Sequence, residues 1–333
     1  MTILDAINQG NLELAQKLIA EGSEESQEEE KKVSTKVETS SQGKQEQQTS
    51  SQTKQKQQTT STNSKKEKKE SKTKKQPPME EYIKPVEYDL VKSYVQSDEP
   101  VMLFGEAGTG KNELCSNIAK ELGLNFYFAN AVNDIFQLTG YGNASGDYVK
   151  TQFYDFCING GLFLFDEIDA SSSEALIVFN SAIANRYFDF PVIGRVKLNE
   201  NCRFIACANT KGVGASLRYC GRNQLDAATL DRFAIIELHY DKKVERKIAQ
   251  GDEDLVEFIE DFRNACNRTG VDIVVSYRAI KRIAKLKERM DTIDLLKSSL
   301  IKQLEKTDCQ SIYDNMKVKA TSYYIAFAKI CGF

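Results

Sequence analysis

PVMLFGEAGTGKNELCSNIAKELG, residues 100–123, decides how the chain is read. An apolar run enters a loop with glycine at 105, 108 and 110, and the loop enters an amphipathic helix. A strand, a glycine-rich turn and a helix in that order can wrap backbone N–H groups around a polyphosphate. The glycines allow a close approach that a Cβ would obstruct. Lys111 supplies a point charge to the terminal phosphates, and the helix N-terminus adds its partial positive charge. Gly105, Glu106, Ala107, Gly108, Thr109, Gly110, Lys111, Asn112 and Glu113 are therefore the expected nucleotide-binding residues; the alternative is a glycine-rich turn with a chance lysine. Asn112 stands where Ser or Thr normally gives a hydroxyl to Mg²⁺. An amide oxygen can also ligate that ion, directly or through water, so Asn112 is kept as a metal candidate.

Downstream, GLFLFDEID (161–169) puts Asp166 and Glu167 directly after a buried strand. In open α/β sheets, ligands bind at the C-terminal ends of the strands. Asp166 is expected to hold Mg²⁺ through water, and Glu167 to orient and deprotonate an attacking water. A solvated acidic strand end is the alternative. Four further apolar runs, PVMLF (100–104), NFYFANAV (125–132), RFIACA (203–208) and FAIIEL (233–238), suit buried parallel strands. After Tyr240, DLVEFIEDFRNACNR (254–268), YRAIKRIAKLKERM (277–290) and TIDLLKSSLIKQLEK (292–306) repeat at helical spacing. The expected fold is an α/β P-loop NTPase with a five-stranded parallel sheet (79–240), followed by a small all-α lid and C-terminal helices (241–333).

The sequence has 333 residues, a net charge of −3 and eight cysteines without a C-x-x-C pair. Bulk charge thus argues against a nucleic-acid partner, and cysteine spacing against a disulfide framework or a zinc site. No apolar run is long enough to span a membrane, and MTILDAINQG does not resemble a secretion signal, so a cytoplasmic setting with reduced thiols is expected. Residues 4–23 read as two short helices, similar to the helical half of an ankyrin-type repeat; the helical hairpin is assigned to 1–22. Residues 23–78 read as a disordered polar linker, because between 23 and 76 only Val33 and Val37 are apolar. Its end, 61–76, carries seven Lys against two Glu, which suits a solvated linker or contact with an anionic partner.

With both motifs in place, residues 85–285 resemble an AAA+ ATPase, with Walker A at 105–112 and Walker B at 162–167. The similarity is to the dynein-related, MoxR-type branch that includes the cobaltochelatase ATPase subunit, and within it to the ATPases often carried by bacteriophages. FYFANAV, GGLFLFDEIDAS, ANTKGVGASLRYCGRNQLDAATLDRF and VSYRAIKRI carry it. The resemblance implies sensor 1 at Asn209, an arginine finger at Arg232 and sensor 2 at Arg278, with Arg222 a competing finger. From the residues alone, Asn209 is equally a turn former, either arginine a surface ion-pair partner, and Arg278 an exposed helix-start arginine. The stretch 133–156 reads as helix, hairpin, helix, and the resemblance implies that this insertion faces a pore or partner, with Tyr141 and Tyr148 as contacts. Residues 187–201 would form a second hairpin.

The resemblance implies ATP and Mg²⁺ as ligands and a homo-oligomeric, most often hexameric, ring that remodels a protein or protein–cofactor partner. A finger acting in trans requires heterologous contacts of that kind. A nucleotide-binding switch with little turnover is the rival reading, and Asn112 is what favours it. A DNA-remodelling ATPase is less favoured, since residues 79–333 carry 31 basic against 36 acidic side chains.

Overall fold

A computed structural model of the chain describes residues 82–215, 218–317 and 321–333. The expected hairpin at 1–22 and linker at 23–78 lie outside the described residues. The strands in chain order are β1 (Val101–Phe104), β2 (Phe126–Ala129), β3 (Tyr141–Gly142), β4 (Tyr148–Val149), β5 (Gly161–Phe165), β6 (Tyr187–Phe190), β7 (Gly194–Lys197), β8 (Cys202–Ala208) and β9 (Ala234–Glu237). Five of them form a parallel sheet in the order β2-β5-β8-β1-β9, while β3-β4 and β6-β7 are separate antiparallel hairpins. All five expected sheet strands are present, and both hairpins fall within the stretches that predict them.

Burial on both faces explains the continuous apolar runs. Val101, Leu103, Leu162, Leu164, Ile205 and Cys207 point to one side, against Leu114 and Ile118 of the helix Lys111–Glu121 and Val91 of the helix Tyr88–Gln96. Their neighbours Met102, Phe104, Phe163, Phe165, Phe204 and Ala206 point to the other, against Phe156 of the helix Gln152–Asn159 and Phe179 of the helix Ser173–Asn185. The period of two in a strand divides each run between two layers. β2 departs from expectation. It spans only Phe126–Ala129 and is not fully buried, because it pairs with β5 alone at the edge of the sheet.

After Tyr240 the chain is helical, and these helices bury their own core around Phe258, Phe262, Ile280, Leu296 and Phe327. The helix expected over 292–306 is corrected: it ends at Ser299, and a second begins at Lys306. Leu300 and Ile301 both donate their N–H to the Leu296 carbonyl and are both buried, so the chain leaves the helical path there. Glu305 and Asp308 then cap the new start reciprocally. Among the described residues, no helix is long and apolar enough to cross a membrane.

Candidate functional site

Register and strand order place the polar residues. Phe104 lies opposite Ala208, and Phe165 opposite Ala206, so β1, β5 and β8 end at one edge of the sheet. Gly105, Asp166 and Asn209 leave that edge together. Because β8 runs between β1 and β5, Asn209 sits between the glycine-rich loop and the acidic strand end. Lys111 Nζ donates to Asn209 Oδ1 at 3.1 Å and to the carbonyls of Gly105 and Glu106 at 2.8 and 3.1 Å. Burial pushes this ammonium below the ordinary lysine range, with Cys207, Asp166 and Asp169 opposing the shift. Asp166 accepts from Asn112 Nδ2 at 2.7 Å and from the Glu167 N–H at 2.9 Å.

Two glycines are required where they stand. A Cβ on Gly105 would strike the Leu238 carbonyl oxygen, and one on Gly108, at φ +80, would lie 2.6 Å from Ser276 Cβ. The second contact matters because Ser276 precedes the helix Tyr277–Leu286, which carries Arg278. The Tyr277 N–H donates to the Gly108 carbonyl at 3.3 Å, and the Tyr240 hydroxyl to the Ala107 carbonyl at 3.1 Å. The Arg263 guanidinium stacks 3.9 Å over Tyr240 and donates to the Val275 carbonyl, which fixes the approach to Ser276. The glycine-rich loop is thus walled on one side by the sheet and on the other by the helical region.

Between these walls lies a cavity of about 1010 Å³. Lys111, Asn112, Glu113, Asp166, Glu167, Asn209 and Arg278 all line it, as do Ala107, Gly108 and Gly110. Lys281 and Lys285 continue the Arg278 face, and Tyr82, Ile83, Val244 and Ile248 supply apolar walls. Asp166 offers carboxylate oxygens, and the Asn112 side chain an amide oxygen besides the N–H it gives to Asp166, which is the oxygen-donor chemistry that a small hard cation takes.

Other expected residues are placed differently. Arg232 does not line the cavity: one guanidinium N–H returns to the Ala228 carbonyl, and its buried Nε has no partner among the described residues. Arg222 does not line it either but touches a lining residue of its own chain, donating to Glu167 Oε1 at 3.2 Å and to Asp169 Oδ1 at 3.1 Å. Tyr141 is half exposed, whereas Tyr148 packs against the segments that flank its hairpin, donating to the Thr139 carbonyl at 2.6 Å and meeting Tyr154 edge-on.

Sequence reasoning missed Asp169, which is fully buried. Its Oδ2 accepts from the N–H of Asn209, the N–H of Thr210 and the Thr210 hydroxyl, at 3.2, 3.1 and 2.9 Å. Also missed were Arg218, which bridges Glu106 and Asp272, and Tyr219, whose hydroxyl accepts from the Ala107 N–H at 3.0 Å. The only advance signal for Asp169 was its place in the acidic run after β5.

Residues 100–233 match a family model described as AAA domain (dynein-related subfamily). No curated protein sequence matches the chain. Among solved structures it is similar to NtrX from Brucella abortus, at 14% identity and a TM-score of 0.45 over 66% of this chain and 55% of that one. A second, NtrX from Brucella abortus in complex with ADP, gives 15% identity and a TM-score of 0.39 over 60% and 48%. The chain therefore spans about half the length of these two relatives. Over residues 100–233 the chain is thus similar to the AAA domains that this family model describes, and the strand order, the loop after β1 and the acidic end of β5 fit that likeness.

Proposed function

We propose that the protein hydrolyses ATP with Mg²⁺, and that it works as a MoxR-type homo-oligomeric ring that remodels a protein or protein–cofactor partner in a cytoplasmic setting. One observation carries this reading: Lys111, Asp166, Glu167, Asn209 and Arg278, from four separate segments, converge on a single cavity. Phosphoryl transfer needs chiefly positioning and electrostatics, and these groups supply both. Lys111 takes the terminal phosphates in place of the carbonyls it now contacts. Glu167 accepts the proton of the attacking water, Asn209 orients that water, and Arg278 ties the helical wall to the phosphates. Asp166 and the Asn112 amide oxygen would hold Mg²⁺, which when bound neutralises phosphate charge. Arg232, outside its own cavity, is assigned to the neighbouring subunit's nucleotide.

The test is calorimetry with Mg–ATP on wild type and Glu167→Gln, alongside phosphate release. Both proteins are expected to bind, and the variant to lose turnover by about 10²-fold or more. Absence of heat with wild type at millimolar nucleotide would sink the reading. The Asn112–Asp166 contact favours a second reading, a nucleotide-binding switch with little turnover. Under that reading, Mg²⁺ titration yields binding with negligible phosphate release.

A further inference from the structure

Arg222 is held unequally by two carboxylates. Asp169 is completely buried and fixed by Asn209 and Thr210, whereas the Glu167 side chain is 40% exposed. Arg222 itself is mostly covered, with its side chain 13% exposed. If this cluster opens, Glu167 is the member that can leave, since Arg222 remains satisfied by Asp169 and a departing Glu167 meets solvent or ligand. The contact also works against a proton acceptor. It occupies Glu167 Oε1 with a donated N–H, so that oxygen is not open to a water. Glu167 sits at φ 52 and ψ 40, a backbone conformation that non-glycine residues adopt only where their surroundings impose it.

The segment that carries Arg222 is itself tied down. Asn223 donates its backbone N–H to the Asp169 carbonyl at 2.6 Å and its side-chain amide to the Ser171 carbonyl at 2.9 Å. Arg218, four residues before Arg222, pairs with Glu106 of the glycine-rich loop at 2.6 Å and with Asp272 ahead of the helix Tyr277–Leu286. One short strap therefore touches the phosphate loop, the approach to the helical wall and the acidic strand end.

We propose that Arg222 is a positioning residue that restrains Glu167 within the same chain, and that turnover requires Glu167 to leave it. The inference rests on the ATPase reading above and gives Arg222 a role other than that of a finger. The strap links the restraint to the loop, so a ligand that displaces Glu106 acts on the segment that holds the base.

Steady-state ATP hydrolysis by full-length Arg222→Ala and Arg222→Lys tests this, with Mg–ATP binding measured on the same samples. Arg222→Ala is expected to raise kcat about three- to tenfold, the scale of a partly exposed ion pair. KM and the calorimetric Kd should stay within about twofold, because neither carboxylate's contact with Arg222 holds the phosphates. Lysine keeps a charge beside Asp169 but lacks the fork that spans both acids, so Arg222→Lys should fall between Ala and wild type. If Arg222→Ala melts at the assay temperature, Arg222→Lys alone decides. A kcat that is unchanged or falls, in whichever variant folds, overturns the proposal, and a fall at constant KM assigns Arg222 to transition-state charge instead. Wild type that binds no Mg–ATP sinks the nucleotide reading itself, so the two failures are distinguishable.

Discussion

At Gly108 a single missing methyl group decides whether two parts of the protein can meet. Gly108→Ala combines a φ of +80 with a contact of 2.6 Å to Ser276 Cβ, and the nearest atoms belong to a residue held by the neighbouring helix start. The left-handed conformation alone costs an L-residue roughly 1–2 kcal/mol. We expect Gly108→Ala to weaken Mg–ATP binding at least tenfold by calorimetry; unaltered affinity would show that the loop and Ser276 move apart without cost. At this scale the sequence was legible wherever the chemistry lies in consecutive residues, as in Lys111 with its loop and Asp166 with Glu167. Asp169 and Arg222 are 53 positions apart and become partners only through folding, so neither residue advertises the pair. Arg222 and Arg232 are alike as letters, and only their surroundings separate them.

Among the elements, the helix Ser173–Asn185 shows how strongly the sheet depends on its aromatic layer. Ser172 caps its start through the Ala175 N–H, and Phe179 points into the sheet, fully buried, with ring centroids 4.9 Å from Phe165 and 5.4 Å from Phe204. Phe179→Ala should lower stability by about 3–5 kcal/mol, through lost transfer energy and the cavity left behind. Denaturant unfolding measures this, and a loss below about 1 kcal/mol would mean that the layer collapses to fill the space. The strands of this sheet were legible because burial on two faces makes them continuously apolar. The end of the helix at Ser299 was not, since helical periodicity continues through Leu300 and Ile301 while a tertiary requirement to bury both turns the chain. β2 was overread for a related reason: an apolar run does not reveal which strand will lie at the edge.

For the molecule as a whole, the proposed ring makes hydrolysis a property of neighbours. Arg232 lies outside its own cavity, so total phosphate release should rise faster than linearly with protein concentration until assembly is complete. Strict proportionality from a species that light scattering shows to be monomeric would remove the trans assignment. The fold class was readable from the two motifs and the alternation of runs, whereas assembly and partner depend on surfaces that composition does not encode. The bonds from Tyr240 to Ala107 and from Tyr277 to Gly108 carry a last consequence. They make the C-terminal helices part of the vessel rather than an attachment to it. A chain severed between sheet and helices would yield two fragments, one keeping Lys111, Asp166 and Asn209 and the other Tyr277, Arg278 and Lys281, so neither inherits the whole cleft.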